Sequence, residues 1–278
     1  CLRQNESLYD RVANCKCGEA NEKTRLYQGT KLPPNKYPWI GMYSVKNKFG
    51  IYSTICTATL ITDRLAVTTA ICMFDYVKRL NDTLLSFGDL HYQVDLNPCP
   101  EVQTRRVTLG VYAPKKRKDD YTKGDNVAVL HMESPLKLDG NTKINVICIP
   151  KESDKTNYVG SPVVVASFGD TEAGQNPGEA YEKPYSIVTS WQCDLLSIFN
   201  TKGPQCLSSD DNHSGMCPGD NGAPVMLKKP DGRYLLVGIV SYSKTCGSFS
   251  KTVSTSFQAG AKIIYEAIQH FKTTVCHS

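Results

Sequence analysis

The sequence lacks any long hydrophobic run. Nothing in its 278 residues approaches the roughly 18 consecutive apolar residues a bilayer span needs, so no membrane-crossing helix is expected. It has no internal repeat and no low-complexity tract, which sets aside repeat architectures and compositionally disordered chains. It has no CxxC…CxxC or Cys/His spacing of the zinc-binding kind. Cys15 and Cys17 stand too close together for a zinc knuckle and no histidine lies near them, so neither a metal nor a cofactor is expected. Neither sign of charge dominates: 32 Lys and Arg against 27 Asp and Glu leave +5, too mild to imply a nucleic-acid partner. The opening Cys1-Leu2-Arg3-Gln4-Asn5 has nothing of a signal peptide, so the expectation is a chain whose signal was removed or a piece of a longer precursor.

What the chain does have is cysteine: Cys1, Cys15, Cys17, Cys56, Cys72, Cys99, Cys148, Cys193, Cys206, Cys217, Cys246 and Cys276. An even count without metal spacing argues for disulfides, and disulfides persist in oxidising compartments, so a secreted, extracellular protein is expected. The sequons Asn5-Glu6-Ser7, Asn81-Asp82-Thr83 and Asn212-His213-Ser214 agree, making Asn5, Asn81 and Asn212 the expected glycosylation sites. The one concentrated basic run, Lys115-Lys116-Arg117-Lys118, is followed at once by Asp119-Asp120. It reads as a solvated loop offering at most weak polyanion binding.

The apolar segments are short, β-branched and interrupted by Gly, Pro and Asp. Ser53–Ile61, Leu65–Ala70, Arg105–Tyr112, Asn126–Met132, Pro162–Phe168, Ala223–Leu227 and Tyr234–Tyr242 are the clearest, and this spacing indicates an all-β sandwich or barrel. A helical period appears only at the end. There Ile263, Ile264, Ala267, Ile268 and Phe271 share one face, with Lys262, Glu266, Gln269 and Lys272 on the other. Residues 1–36 and the polar insert Asp170–Lys183 read as loops.

Several segments, in order, carry a family pattern. They are Arg25-Leu26-Tyr27-Gln28-Gly29 with Tyr37-Pro38-Trp39-Ile40; Thr59-Leu60-Ile61 through Val67-Thr68-Thr69-Ala70-Ile71-Cys72; and Asn126-Val127-Ala128-Val129-Leu130. Then come Val164-Val165-Ala166-Ser167-Phe168-Gly169, Cys217-Pro218-Gly219-Asp220-Asn221-Gly222-Ala223-Pro224-Val225 and Gly238-Ile239-Val240-Ser241-Tyr242. Together they resemble the trypsin/chymotrypsin family's activation site, "TAAHC", "DIALL", "VAGWG", "CxGDSGGPL" and "GIVSWG". The likeness spans residues 17–272 and implies two packed six-stranded antiparallel β-barrels with a C-terminal α-helix. It divides the chain into an N-terminal light-chain-like segment, 1–25, and a protease-like domain, 26–278. The stretch Cys15-Lys16-Cys17-Gly18, ahead of Asn21 and Arg25, also resembles the junction before the protease domain in some arthropod proteases with an upstream CUB module.

By the same resemblance, Cys56 pairs with Cys72, Cys193 with Cys206, Cys217 with Cys246, and Cys17 with Cys148, which tethers the N-terminal segment. Cys1, Cys15, Cys99 and Cys276 are left open. The family's acyl transfer needs a hydroxyl nucleophile, an imidazole base and an orienting carboxylate. Those slots hold Asn221, Ile71 and Asn126, and none of the five histidines (His91, His131, His213, His270, His277) falls in the base slot. The frame around them remains. Gly219 and Asn221 supply an oxyanion-like pair of N–H groups, and Asp220 stands where the family pairs an aspartate with a freed N-terminus. That terminus here would be Leu26, after processing at Arg25. Gly215 and Ser243 occupy the specificity-pocket positions: Gly215 brings no charge, Ser243 narrows the wall, and Ala223 adds a methyl group behind the nucleophile slot.

The expectation is a non-catalytic serine protease homologue acting by binding another extracellular protein as cofactor, decoy or regulator. The alternatives are a structural, carrier, venom or salivary scaffold, and a residual peptidase with non-standard chemistry.

Overall fold

Short strand-forming runs broken by turn residues can satisfy their backbone N–H and C=O groups only by pairing with runs elsewhere in the chain. In the computed structural model they do so twice over. The structure describes residues 16–21, 35–88, 102–113, 126–138, 143–169, 180–189, 204–209, 216–217, 219–242 and 251–277. The first six strands are β1 (Ile40–Lys46), β2 (Tyr52–Leu60), β3 (Leu65–Thr68), β4 (Thr83–Phe87), β5 (Gln103–Tyr112) and β6 (Ala128–Met132). They close in the order β1-β2-β3-β6-β5-β4. The second set is β7 (Pro162–Ser167), β8 (Tyr181–Val188), β9 (Pro204–Ser208), β10 (Pro224–Lys228), β11 (Tyr234–Tyr242) and β12 (Lys251–Ser256), closing as β10-β11-β12-β9-β8-β7. Every pairing within the barrels is antiparallel, and closure leaves neither sheet an open edge.

Two α-helices complete the described fold, α1 (Ala70–Phe74) after β3 and α2 (Phe257–His270) after β12, with a 3-10 helix at Val77–Asp82. α2 starts where the Ser256 hydroxyl accepts the Ala259 N–H. Its Ile263, Ile264, Ala267 and Ile268 are buried while Lys262, Glu266 and Gln269 are exposed, as the period in the sequence predicts. Beyond its end, the Phe271 ring stacks on His131 of β6 with centroids 4.0 Å apart.

The barrels are held against each other by residues that enter from the strand ends. Trp39, fully buried, donates its indole N–H to Met226 Sδ at 3.1 Å. Lys36 Nζ and Tyr37 OH both donate to Glu182 of β8, each at 2.6 Å. Burial, and then the Glu182 carboxylate, push the Tyr37 phenol far above its ordinary pKa, so it stays a donor. The expected Cys17–Cys148 and Cys56–Cys72 disulfides are both present. Cys206, Cys217 and Cys276 are disulfide-bonded as well.

One expectation is corrected. The insert Asp170–Lys183 reads as loop, but Tyr181, Glu182 and Lys183 belong to β8, paired with Ser167, Ala166 and Val165. Polar composition hides this strand end because its ladder partners are supplied by β7. Residues 170–179 lie outside the described residues.

Candidate functional site

Three short segments meet between the barrels. The first is the start of α1. Thr68 Oγ1 donates to Thr57 O at 2.8 Å, and the side chain of the next residue, Thr69, caps the helix by accepting the Cys72 N–H. The Cys56–Cys72 bond ties this turn to β2. Ile71 lies in the helix's first turn, where its partly buried sec-butyl side chain packs against the core edge.

The second segment leads into β6. Asn126 is fully buried. Its Oδ1 accepts the Ile71 N–H at 3.0 Å and its Nδ2 donates to Ser241 O, also at 3.0 Å. One side chain thus links α1 of the first barrel to β11 of the second. A carboxylate has no hydrogen to offer the Ser241 carbonyl, so the carboxamide suits this place. The Ser241 hydroxyl is itself engaged by Thr255 Oγ1 at 2.5 Å and by Ile239 O at 3.3 Å.

The third segment is the turn from Cys217 to Ala223. The Asp220 carboxylate is buried and accepts the Ser167 hydroxyl at 2.5 Å and the Cys217 N–H at 2.6 Å. The packing is close: a Cβ on Gly169 would lie 1.8 Å from Asp220 Oδ1. Gly222 has φ +87, and a Cβ there would lie 2.1 Å from Thr57 O, so only glycine fits the turn. The turn is sewn to both barrels: Asn221 O accepts from Thr57 N at 3.0 Å, and Gly222 N donates to Val240 O at 2.9 Å. Asn221 O also lies 3.8 Å from Cys72 Sγ, next to Ile71, so the three slots do come together.

Asn126 has both ends of its carboxamide paired, whereas Asn221 Oδ1 is buried with no hydrogen-bond partner among the described residues. The N–H groups of Gly219 (φ +93) and Asn221 donate to nothing among the described residues. The arrangement offers two amide donors beside an apolar wall and two carboxamides. None of the three slot residues has a side chain that titrates near neutral pH.

Arg25, Leu26, Gly215, Ser243, the Lys115–Lys118 run and the sequons at Asn5 and Asn212 lie outside the described residues, as do Cys193 and Cys246. Asn81 is exposed on the 3-10 helix. Of the histidines, His131 sits on β6 against Phe271, with its Nδ1 2.8 Å from Thr108 Oγ1; His270 and His277 belong to α2 and the tail beyond it. No metal-binding cluster of His, Cys, Asp or Glu occurs among the described residues. The contacts that sequence reading missed are Ser167 on Asp220 and the Ser241 carbonyl on Asn126. A serine in the "VAGWG"-like segment, where the family has glycine, was the available sign of the first.

Two closed six-stranded antiparallel barrels with a C-terminal helix, and a buried aspartate beside a glycine-flanked turn between them, define the chymotrypsin-like class of fold. The family model described as Trypsin matches residues 26–264, most of the chain, and this chain belongs to that family. Phenoloxidase-activating factor 1 of Holotrichia diomphalia is 24% identical over 248 residues, 84% of this chain and 66% of that relative. Serine protease filzig of Drosophila melanogaster is 27% identical over 234 residues, 81% of this chain and 13% of the relative. Phenoloxidase-activating enzyme 1 of Spodoptera litura is 25% identical over 244 residues, 83% and 63%. The chain thus spans less than two thirds of the length of each.

Proposed function

We propose that this chain is a secreted, non-catalytic trypsin homologue that works by binding another protein in an extracellular pathway. The observation that carries the reading is Asn126. It occupies the orienting slot as a satisfied carboxamide, spending both ends of its amide on Ile71 and Ser241. Ile71 has no basic nitrogen for it to orient, and Asn221 has no hydroxyl to activate. Losing a whole triad lowers turnover on the order of 10⁶-fold. Twelve cysteines and the sequons support secretion, and among the described residues no helix is long and apolar enough to cross a membrane. Two of the relatives named above carry phenoloxidase activation in their names, which points to a protease cascade as the setting and to one of its proteins as the partner.

The test is labelling of native protein with a fluorophosphonate probe, beside a panel of fluorogenic peptides. Neither labelling nor hydrolysis is expected, and Asn221→Ser alone stays inactive because Ile71 supplies no base. Covalent labelling of the native chain, or robust hydrolysis by the single variant, overturns the reading. The combined Ile71→His, Asn126→Asp and Asn221→Ser variant is the fair attempt at rescue.

A further inference from the structure

The β1–β2 hairpin ends in Lys46-Asn47-Lys48-Phe49-Gly50-Ile51, and every residue of that tip is exposed. Phe49 is 75% and Ile51 62% exposed, the two most exposed large apolar side chains among the described residues. Single exposed apolar residues are ordinary on protein surfaces; two within three residues on a turn that projects from a barrel are less so.

The tip is rigidly built. Asn47 Oδ1 accepts the N–H groups of Phe49 at 2.9 Å and Ile51 at 3.1 Å. Asn47 N–H donates to Ile51 O at 2.8 Å and Gly50 N–H to Asn47 O at 3.0 Å. Gly50, at φ +83, makes the left-handed step between the two apolar residues. The surround is cationic. Lys48 Nζ sits 5.0 Å from the Phe49 ring centroid, within cation–π range. Arg79, on the 3-10 helix, donates to Lys46 O at 3.3 Å and pairs with Asp82 at 3.0 Å. Lys46, Lys48 and Arg79 are all exposed.

We propose that this hairpin tip is a docking surface for an acidic protein segment that carries aromatic or aliphatic side chains. Charge complementarity selects the acidic partner, and the preset backbone means that Phe49 and Ile51 lose little freedom on engaging it. Two side chains give too little apolar area to hold a lipid surface but suffice as anchors of a protein contact. The inference rests on the protein-binding reading above and names the chemistry of the partner.

The test uses the full-length protein and a random Glu/Tyr copolymer as probe, with poly-Glu, heparin and phosphatidylserine vesicles beside it, at about 0.15 M salt. The copolymer is expected to bind saturably, and more tightly than poly-Glu or heparin. Phe49→Ser/Ile51→Ser and Lys46→Ala/Lys48→Ala are each expected to weaken it by about tenfold or more. These positions are exposed, so both variants should melt as the parent does. Failure of the copolymer to bind, equal affinity for poly-Glu, no loss in either variant, or binding confined to vesicles overturns the proposal. The readout contains no peptidase step, so a failure here leaves the probe-labelling result standing, and detected hydrolysis leaves copolymer binding standing.

Discussion

At the scale of single residues, the two asparagines of the site differ in what they cost. Asn126 is completely buried with both ends of its carboxamide paired, so its polar groups are satisfied. Asn221 Oδ1 is buried without a partner among the described residues, and an unmade hydrogen bond carries a desolvation penalty. Opposite outcomes are expected in denaturant titrations. Asn126→Asp removes the donor to Ser241 O and brings a carboxylate into a buried place, lowering stability by about 1–3 kcal/mol. Asn221→Ala deletes the orphaned acceptor and is expected to leave stability within about 1 kcal/mol of the parent or raise it. Equal losses from both changes would refute this distinction. The identities of these residues are plain in the sequence; which of them is satisfied is not, because the donors and acceptors come from other segments.

At the scale of elements, the contact between β6 and the end of α2 is expected to weaken in acid. His131 stacks on Phe271, and its pKa is lowered from the ordinary 6.5 by burial first, then by Arg64 and by His270. A histidine with a depressed folded pKa takes up its proton more readily when unfolded. Stability is therefore complete above the unfolded value and declines as pH falls from about 6.5 toward the folded value, below which the loss levels off. Unfolding midpoints measured between about pH 7 and pH 5 are expected to fall less steeply in His131→Gln, which keeps an acceptor for Thr108. An identical slope in parent and variant would count against a role for His131. The helix itself is legible from the spacing of Ile263, Ile264, Ala267 and Ile268. Its seat is not, because Phe271 meets His131 only when the chain closes.

At the scale of the whole molecule, the longest covalent constraint described is Cys17–Cys148, spanning 131 residues, against 16 for Cys56–Cys72. Chain-entropy reasoning gives about 5 kcal/mol for the longer loop and about 3 kcal/mol for the shorter as upper estimates. Cys17→Ala/Cys148→Ala is accordingly expected to destabilise more than Cys56→Ala/Cys72→Ala in equilibrium unfolding, and the reverse order would contradict the entropic account. If a trypsin-like enzyme cleaves after Arg25, the bond keeps the N-terminal segment attached. The expected result is one band on a non-reducing gel and two after reduction, with Leu26 as the new terminus by Edman sequencing. Separation without reduction, or a Cys1 terminus alone on functional protein, rules this out.

Several features of the protein follow from the sequence alone: the barrel-forming strand spacing, the collinear trypsin-like segments, the terminal helix and the residue types at the positions the family resemblance assigns to the catalytic slots. These are local properties, carried by side-chain identity and by the periods of two and 3.6 residues that strands and helices impose. Tertiary structure alone decided how the slots are held. Asn126 reaches Ser241 across 115 positions, a contact that exists only once the two barrels have packed together, and Ser167 reaches Asp220 across 53, which requires the second barrel to have closed. The strand end at Tyr181–Lys183 followed the same logic, since a polar run becomes a strand when β7 supplies its ladder. The hairpin tip makes the converse point. Its turn is local and its residues ordinary, yet the exposure of Phe49 and Ile51 is set by the rest of the fold leaving them uncovered.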